Sequence, residues 1–136
     1  MKIFLICSKR FYDHIPPIQE ELERQGHVLT MPNCYDDRLA EERHKQLGDE
    51  EHARWKAGMI QHSEGVIQNN DAVLVLNFDK DDSKNYIGGA TFLEMYDAFR
   101  LGKKIFLYNP VPEGILYDEI NGFSPIVLSG KLDRLL

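Results

Sequence analysis

With 136 residues, 43% of them hydrophobic and 28% charged, the chain has material for one packed core and too little for two. Acidic residues outnumber basic ones 22 to 16, giving a net charge of -6, which argues against the broad phosphate-backbone contact of a nucleic-acid-binding protein but leaves room for one small phosphate. No apolar run approaches the roughly 20 residues of a membrane-spanning helix. The two cysteines, Cys7 and Cys34, form no redox or metal-binding spacing, so a cytoplasmic protein with no membrane partner is expected.

Residues 3–6 are continuously apolar and predict a strand covered on both faces rather than a signal segment. Residues 8–14 read as a polar loop. Pro16 and Pro17 suit a helix start, Ile18 and Leu22 continue at helical spacing, and Gly26 stops the helix. A second short strand follows over residues 27–31. Residues 34–52 carry much charge and few apolar anchors, and are expected to be a mobile or partly helical excursion. Over residues 53–68, Trp55, Met59, Ile60, Val66 and Ile67 form an apolar stripe at helical spacing.

Residues 71–77 give the clearest strand, apolar on both faces and therefore central. A polar loop over residues 79–85 leads to Gly88-Gly89, and a helix is expected from Thr91 to Gly102. Residues 103–108 predict a fourth strand, 115–120 a short helix, 125–128 a fifth strand, and the tail a last helical turn. Strands alternating with helices imply a single α/β domain over residues 1–136, doubly wound and Rossmann- or flavodoxin-like, with a mainly parallel sheet of about five strands.

Such sheets hold ligands beyond the carboxyl ends of their strands, where the strand order reverses. If the first and third strands flank the reversal, residues 7–12 and 77–91 face each other. Gly88 and Gly89 would then turn the chain tightly and offer open amides at the positive end of a helix, a setting for an anion or sugar hydroxyls as well as for an ordinary structural turn. Glu94 falls early in that helix, where the dipole is expected to keep it ionised and suited to nucleophilic attack. Neither a dinucleotide fingerprint nor a phosphate-loop motif is present.

The run Asn70-Asp71-Ala72-Val73-Leu74-Val75-Leu76-Asn77, then Tyr86-Ile87-Gly88-Gly89-Ala90-Thr91-Phe92-Leu93-Glu94-Met95, then Ala98 and Leu101-Gly102-Lys103-Lys104, resembles the nucleoside 2-deoxyribosyltransferase superfamily, which includes deoxynucleoside-monophosphate N-glycosidases. The resemblance covers the second half of the chain closely and the first strand-helix unit loosely. It implies a nucleoside or nucleotide ligand, no cofactor, and Glu94 as the carboxylate that attacks the anomeric carbon. It also implies a homo-oligomer, because the resembling enzymes build their sites across subunits. The chain departs from the family pattern at Tyr96, where glycine is usual, in the spacing from Gly89 to Glu94, and at His62-Ser63-Glu64, where an assisting aspartate is usual. A non-catalytic nucleotide-binding or sensing module on the same fold is the alternative.

The candidate ligand-binding residues beside Glu94 are Ser8, Asn77, Asp79, Tyr86, Gly88, Gly89 and Thr91. Lys9 and Arg10 could neutralise a phosphate or simply be solvated. Asp71 is expected to cap or bond locally, Trp55 to lie in the core or an interface, and His62 is a remote pocket candidate. Asn109 and Asn121 could reach a ligand, in the same or a neighbouring subunit. The five histidines suit no metal site, so no metal is assigned.

Overall fold

The computed structural model describes residues 1–135. Five strands, β1 (Lys2–Ile6), β2 (Val28–Thr30), β3 (Ala72–Val75), β4 (Lys104–Leu107) and β5 (Ile126–Val127), form one sheet in the order β2-β1-β3-β4-β5. Every pairing is parallel; Ile3 lies opposite Leu29 on one side and Ala72 on the other. The chain is therefore an α/β protein with a doubly wound parallel sheet, and the order reverses between β1 and β3.

Side-chain alternation divides the core between the two faces. Ile3, Leu5, Ala72 and Leu74 pack on one face with Ile15, Ile18 and Leu22 of α1 (Ile15–Arg24). Phe4, Ile6, Val73 and Val75 pack on the other with Ile67 of α3 (Asp49–Gln68), Met95 and Ala98 of α4 (Gly89–Arg100) and Ile120 of α5 (Tyr117–Gly122). The continuous apolar strands are thus what two-sided burial requires. Asp71 bonds across strands rather than locally in the chain: its Oδ2 accepts the Lys2 N–H at 2.8 Å and ties the starts of β1 and β3 together.

Two segments differ from the sequence expectation, and a third meets it. Residues 8–14 are not a plain loop but hold a 310 helix (Lys9–His14), because burial of Phe11 and Tyr12 draws the chain onto the core. Residues 34–52 are partly helical, as expected, containing α2 (Ala40–Gln46) and the first turn of α3. Glu41 and Glu42 lie in the first turn of α2, and Arg43, His44 and Lys45 in its last, the arrangement the helix dipole favours. Gly48, at φ 112°, makes the left-handed turn into α3. Finally, α4 begins at Gly89 rather than Thr91. Among the described residues, no helix is long and apolar enough to cross a membrane.

Candidate functional site

At the reversal between β1 and β3 the connections after these strands diverge and leave a cavity of about 360 Å³, within the range of small-ligand sites. The two facing segments contribute Cys7, Ser8 and Lys9 on one side and Tyr86, Gly88 and Gly89 on the other. Asn33 and Cys34 after β2, Glu41 of α2, Trp55, Met59 and Ser63 of α3, and Glu94 and Asp97 of α4 complete the wall. Trp55, Met59 and Ser63 recur at four-residue spacing along α3. The amino-terminal half of that apolar stripe therefore faces the cavity, not the core.

Glu94 lies on the second turn of α4 with its carboxyl in this cavity. Its Oε2 accepts the Ser63 hydroxyl at 2.8 Å, while Oε1 has no hydrogen-bond partner among the described residues. Burial pushes the carboxyl up to about 7; the Ser63 hydrogen bond opposes that rise and the negative charge of Asp97 adds to it. The expectation that the helix dipole would hold Glu94 firmly ionised is thus corrected. Dipole stabilisation fades beyond the first turn, and here desolvation outweighs it.

Gly88 caps α4 with extended backbone and no side-chain cap, so the amides of Gly89 and Ala90 have no side-chain partner where they border the cavity. Neither Gly88 nor Gly89 has positive φ. What Gly88 supplies is space: a Cβ there would sit 3.2 Å from the Tyr86 hydroxyl. Tyr86 is fixed from another direction by the Lys80 ammonium, 4.4 Å from its ring centroid. Thr91 is buried in the first turn and lines the same cavity.

Asn77 and Asp79 do not line the cavity. Asn77 is fully buried and bonds the backbone of residues 109–110, and Asp79 Oδ1 accepts the Asn85 N–H at 3.0 Å as a loop brace. Asn109 bonds back to Asn77, and Asn121 donates to the Tyr117 carbonyl within α5. His62 is exposed on α3, and the next residue, Ser63, turns inward instead. Trp55 is half-buried, lines the cavity and stacks with His44 at 5.1 Å, so it does not belong to the core.

Most cavity charges already have partners. Lys9 pairs with Glu42, Arg38 with Asp13 at 2.7 Å, and Lys56 with Glu41 at 2.9 Å, where His52 also bonds Glu41 at 2.9 Å. Arg10 pairs with Asp81 away from the cavity. Asp37 sits below the usual carboxylate range because it bonds Arg43, and Glu41 is held low by Lys56 and His52 against the opposing effect of burial. Glu94 and Asp97, by contrast, are both raised by burial. No family model and no curated protein matches the chain in sequence.

The cysteines are poor nucleophiles in this setting. Burial and the nearby Glu94 push the Cys7 thiol up to about 12, and burial with Asp37 raises Cys34. No cluster of three potential metal ligands exists among the described residues. Glu94 thus stands in the cavity with one carboxyl oxygen anchored by Ser63 and the other without a hydrogen-bond partner among the described residues. Asn33 carries no signal in the sequence, and Ser63 stands out there only as part of the stretch where an assisting aspartate is usual, because isolated small polar residues have no periodic or motif signature.

Proposed function

We propose that the chain is a divergent relative of the nucleoside 2-deoxyribosyltransferase superfamily that cleaves, or transfers across, the N-glycosidic bond of a nucleoside or nucleotide, with Glu94 as nucleophile. The observation that carries this reading is the Glu94 carboxyl in a cavity at the sheet's switch point, with Oε1 free of protein partners. In the first step Oε1 bonds to the anomeric carbon as the carbon–nitrogen bond breaks. The bonding pair passes to the base nitrogen, which takes a proton from a bound water. In the second step water attacks the anomeric carbon, Glu94 leaves as carboxylate, and the water's proton restores the acid. A nucleobase in place of water gives transfer.

Incubation with deoxynucleosides and their 5'-monophosphates, followed by chromatography, is expected to reveal free base or exchanged sugar, and Glu94→Ala is expected to abolish it. Absence of turnover on either class, or full turnover by the variant, overturns the reading. The second reading, a non-catalytic nucleotide-binding module, is favoured by one observation: with its carboxyl raised to about 7, a large share of Glu94 is protonated at neutral pH and cannot attack. Tight nucleotide binding without turnover across pH 6–9 distinguishes it.

A homo-oligomer in the cytoplasm fits the same reading. Leu93, Tyr96 and Phe99 leave an exposed apolar strip on α4, with Leu93 also at the cavity wall. Sedimentation of the wild type and Tyr96→Glu tests it; a wild-type monomer at micromolar concentration removes the oligomer from the proposal.

A further inference from the structure

Three hydrogen bonds run in series toward Glu94. The Tyr12 hydroxyl donates to the Asn33 carbonyl at 2.8 Å, the Asn33 side-chain amide donates to Ser63 Oγ at 2.6 Å, and the Ser63 hydroxyl donates to Glu94 Oε2 at 2.8 Å. These bonds join the 310 helix after β1, the segment after β2, α3 and α4, and Ser63, Asn33 and Glu94 all line the cavity. A serine hydroxyl has one proton. With the Asn33 amide occupying a lone pair of Oγ, that proton has Glu94 as its acceptor. Ser63 is 3% exposed in the interior of a helix, a position where its hydroxyl needs such a partner.

We propose that Ser63 is a positioning residue for Glu94: oriented by Asn33, its hydroxyl anchors Oε2 so that Oε1 is the oxygen presented to the anomeric carbon. The proposal rests on the reading of Glu94 as nucleophile. The anchored oxygen becomes the carbonyl oxygen of the glycosyl ester, while the free oxygen forms the new bond to carbon. A donor to the carboxylate also favours its charged form, so removing Ser63 leaves burial and Asp97 unopposed. The other titratable groups facing Glu94 are Cys7 after β1 and Tyr12 on the 310 helix, both shifted upward in part by the Glu94 charge, with Glu64 of α3 acting on Asp97.

The test is direct titration of Glu94 by carbon-13 NMR of its labelled carboxyl in the wild type, Ser63→Ala, Ser63→Thr and Asn33→Ala, beside pH–rate profiles on the deoxynucleoside with the fastest turnover. Ser63→Ala is expected to raise the Glu94 midpoint by about one pH unit, as loss of one charge-assisted hydrogen bond implies. The acid limb of kcat is expected to move with it, and kcat at pH 7 to fall about tenfold with KM changed less than about twofold. Ser63→Thr, which keeps the hydroxyl, restores both, and Asn33→Ala shifts the midpoint the same way by less. An unmoved midpoint in folded Ser63→Ala and Asn33→Ala overturns the proposal even if the wild type is active. A shifted midpoint in a chain without turnover supports the Ser63–Glu94 coupling and rejects the glycosidase reading instead.

Discussion

Asn77 and Asn109 hold each other reciprocally across the ends of β3 and β4. Asn77 Oδ1 accepts the Asn109 N–H at 2.9 Å, Asn109 Nδ2 donates to the Asn77 carbonyl at 3.0 Å, and Asn77 Nδ2 also reaches the Asn109 and Pro110 carbonyls. With Asn77 fully buried, truncation leaves backbone groups without partners in a site closed to water. Asn77→Ala is expected to lower stability by about 2–3 kcal/mol in urea unfolding. A loss below about 0.5 kcal/mol contradicts a structural role and returns Asn77 to the ligand-binding candidates.

Glu94 makes stability depend on pH in a definite direction. Its folded-state carboxyl, near 7, lies above the ordinary 4.5, so between these values the folded chain binds more protons than the unfolded one. Its contribution is fully favourable below about 4.5, declines as pH rises to about 7, and is flat beyond. Glu94→Gln removes the decline, and the variant is expected to exceed the wild type by up to about 3 kcal/mol at pH 8 while matching it at pH 4. Denaturant midpoints at the two pH values check this, and equal midpoints at pH 8 contradict it.

The same ionisation gates the proposed chemistry, since attack needs the carboxylate. With the carboxyl near 7, kcat/KM is expected to be about tenfold higher at pH 8 than at pH 6. Initial rates on a deoxynucleoside across that range give the profile. A rate that falls over the range assigns Glu94 to proton donation instead.

Trp55 is the one tryptophan of the chain and borders the cavity. Its fluorescence is therefore a direct reporter of occupancy, and deoxynucleoside addition is expected to change its intensity saturably. Trp55→Ala is expected to weaken binding about tenfold, the low end of base–aromatic stacking. Equal affinities for the two proteins place the base elsewhere in the cavity.

These residues also show where sequence reading works and where it stops. The strand around Val73 and the crossing of β1 beside β3 were legible because two-sided burial leaves unbroken apolar runs. The stripe from Trp55 to Ile67 was legible as helical, yet its division between cavity and core was not, because an apolar side chain looks the same facing either. Asn77 looked like a ligand contact because it is polar at the carboxyl end of a strand, and its actual partners lie 32 and 33 residues away. The sequence marks Glu94 as a candidate by its place after the glycines. The rise of its carboxyl is not legible there, since burial depends on how segments distant in the chain pack together.

Helix α2 supplies Glu41 to the cavity wall, yet Ala40 is its only buried residue, and the partly exposed pairs Glu41–Lys56 and Glu42–Lys9 tie it to its neighbours. Exposed pairs of this kind contribute about 0–1 kcal/mol each and weaken as electrolyte accumulates. The enclosure is thus unequal: one side is fixed by a hydrocarbon interior that salt does not loosen, the other by attractions that salt screens. Amide hydrogens of α2 are therefore expected to exchange with solvent sooner than those of β3, and sooner still as ionic strength rises, which hydrogen-exchange measurements at two salt concentrations check.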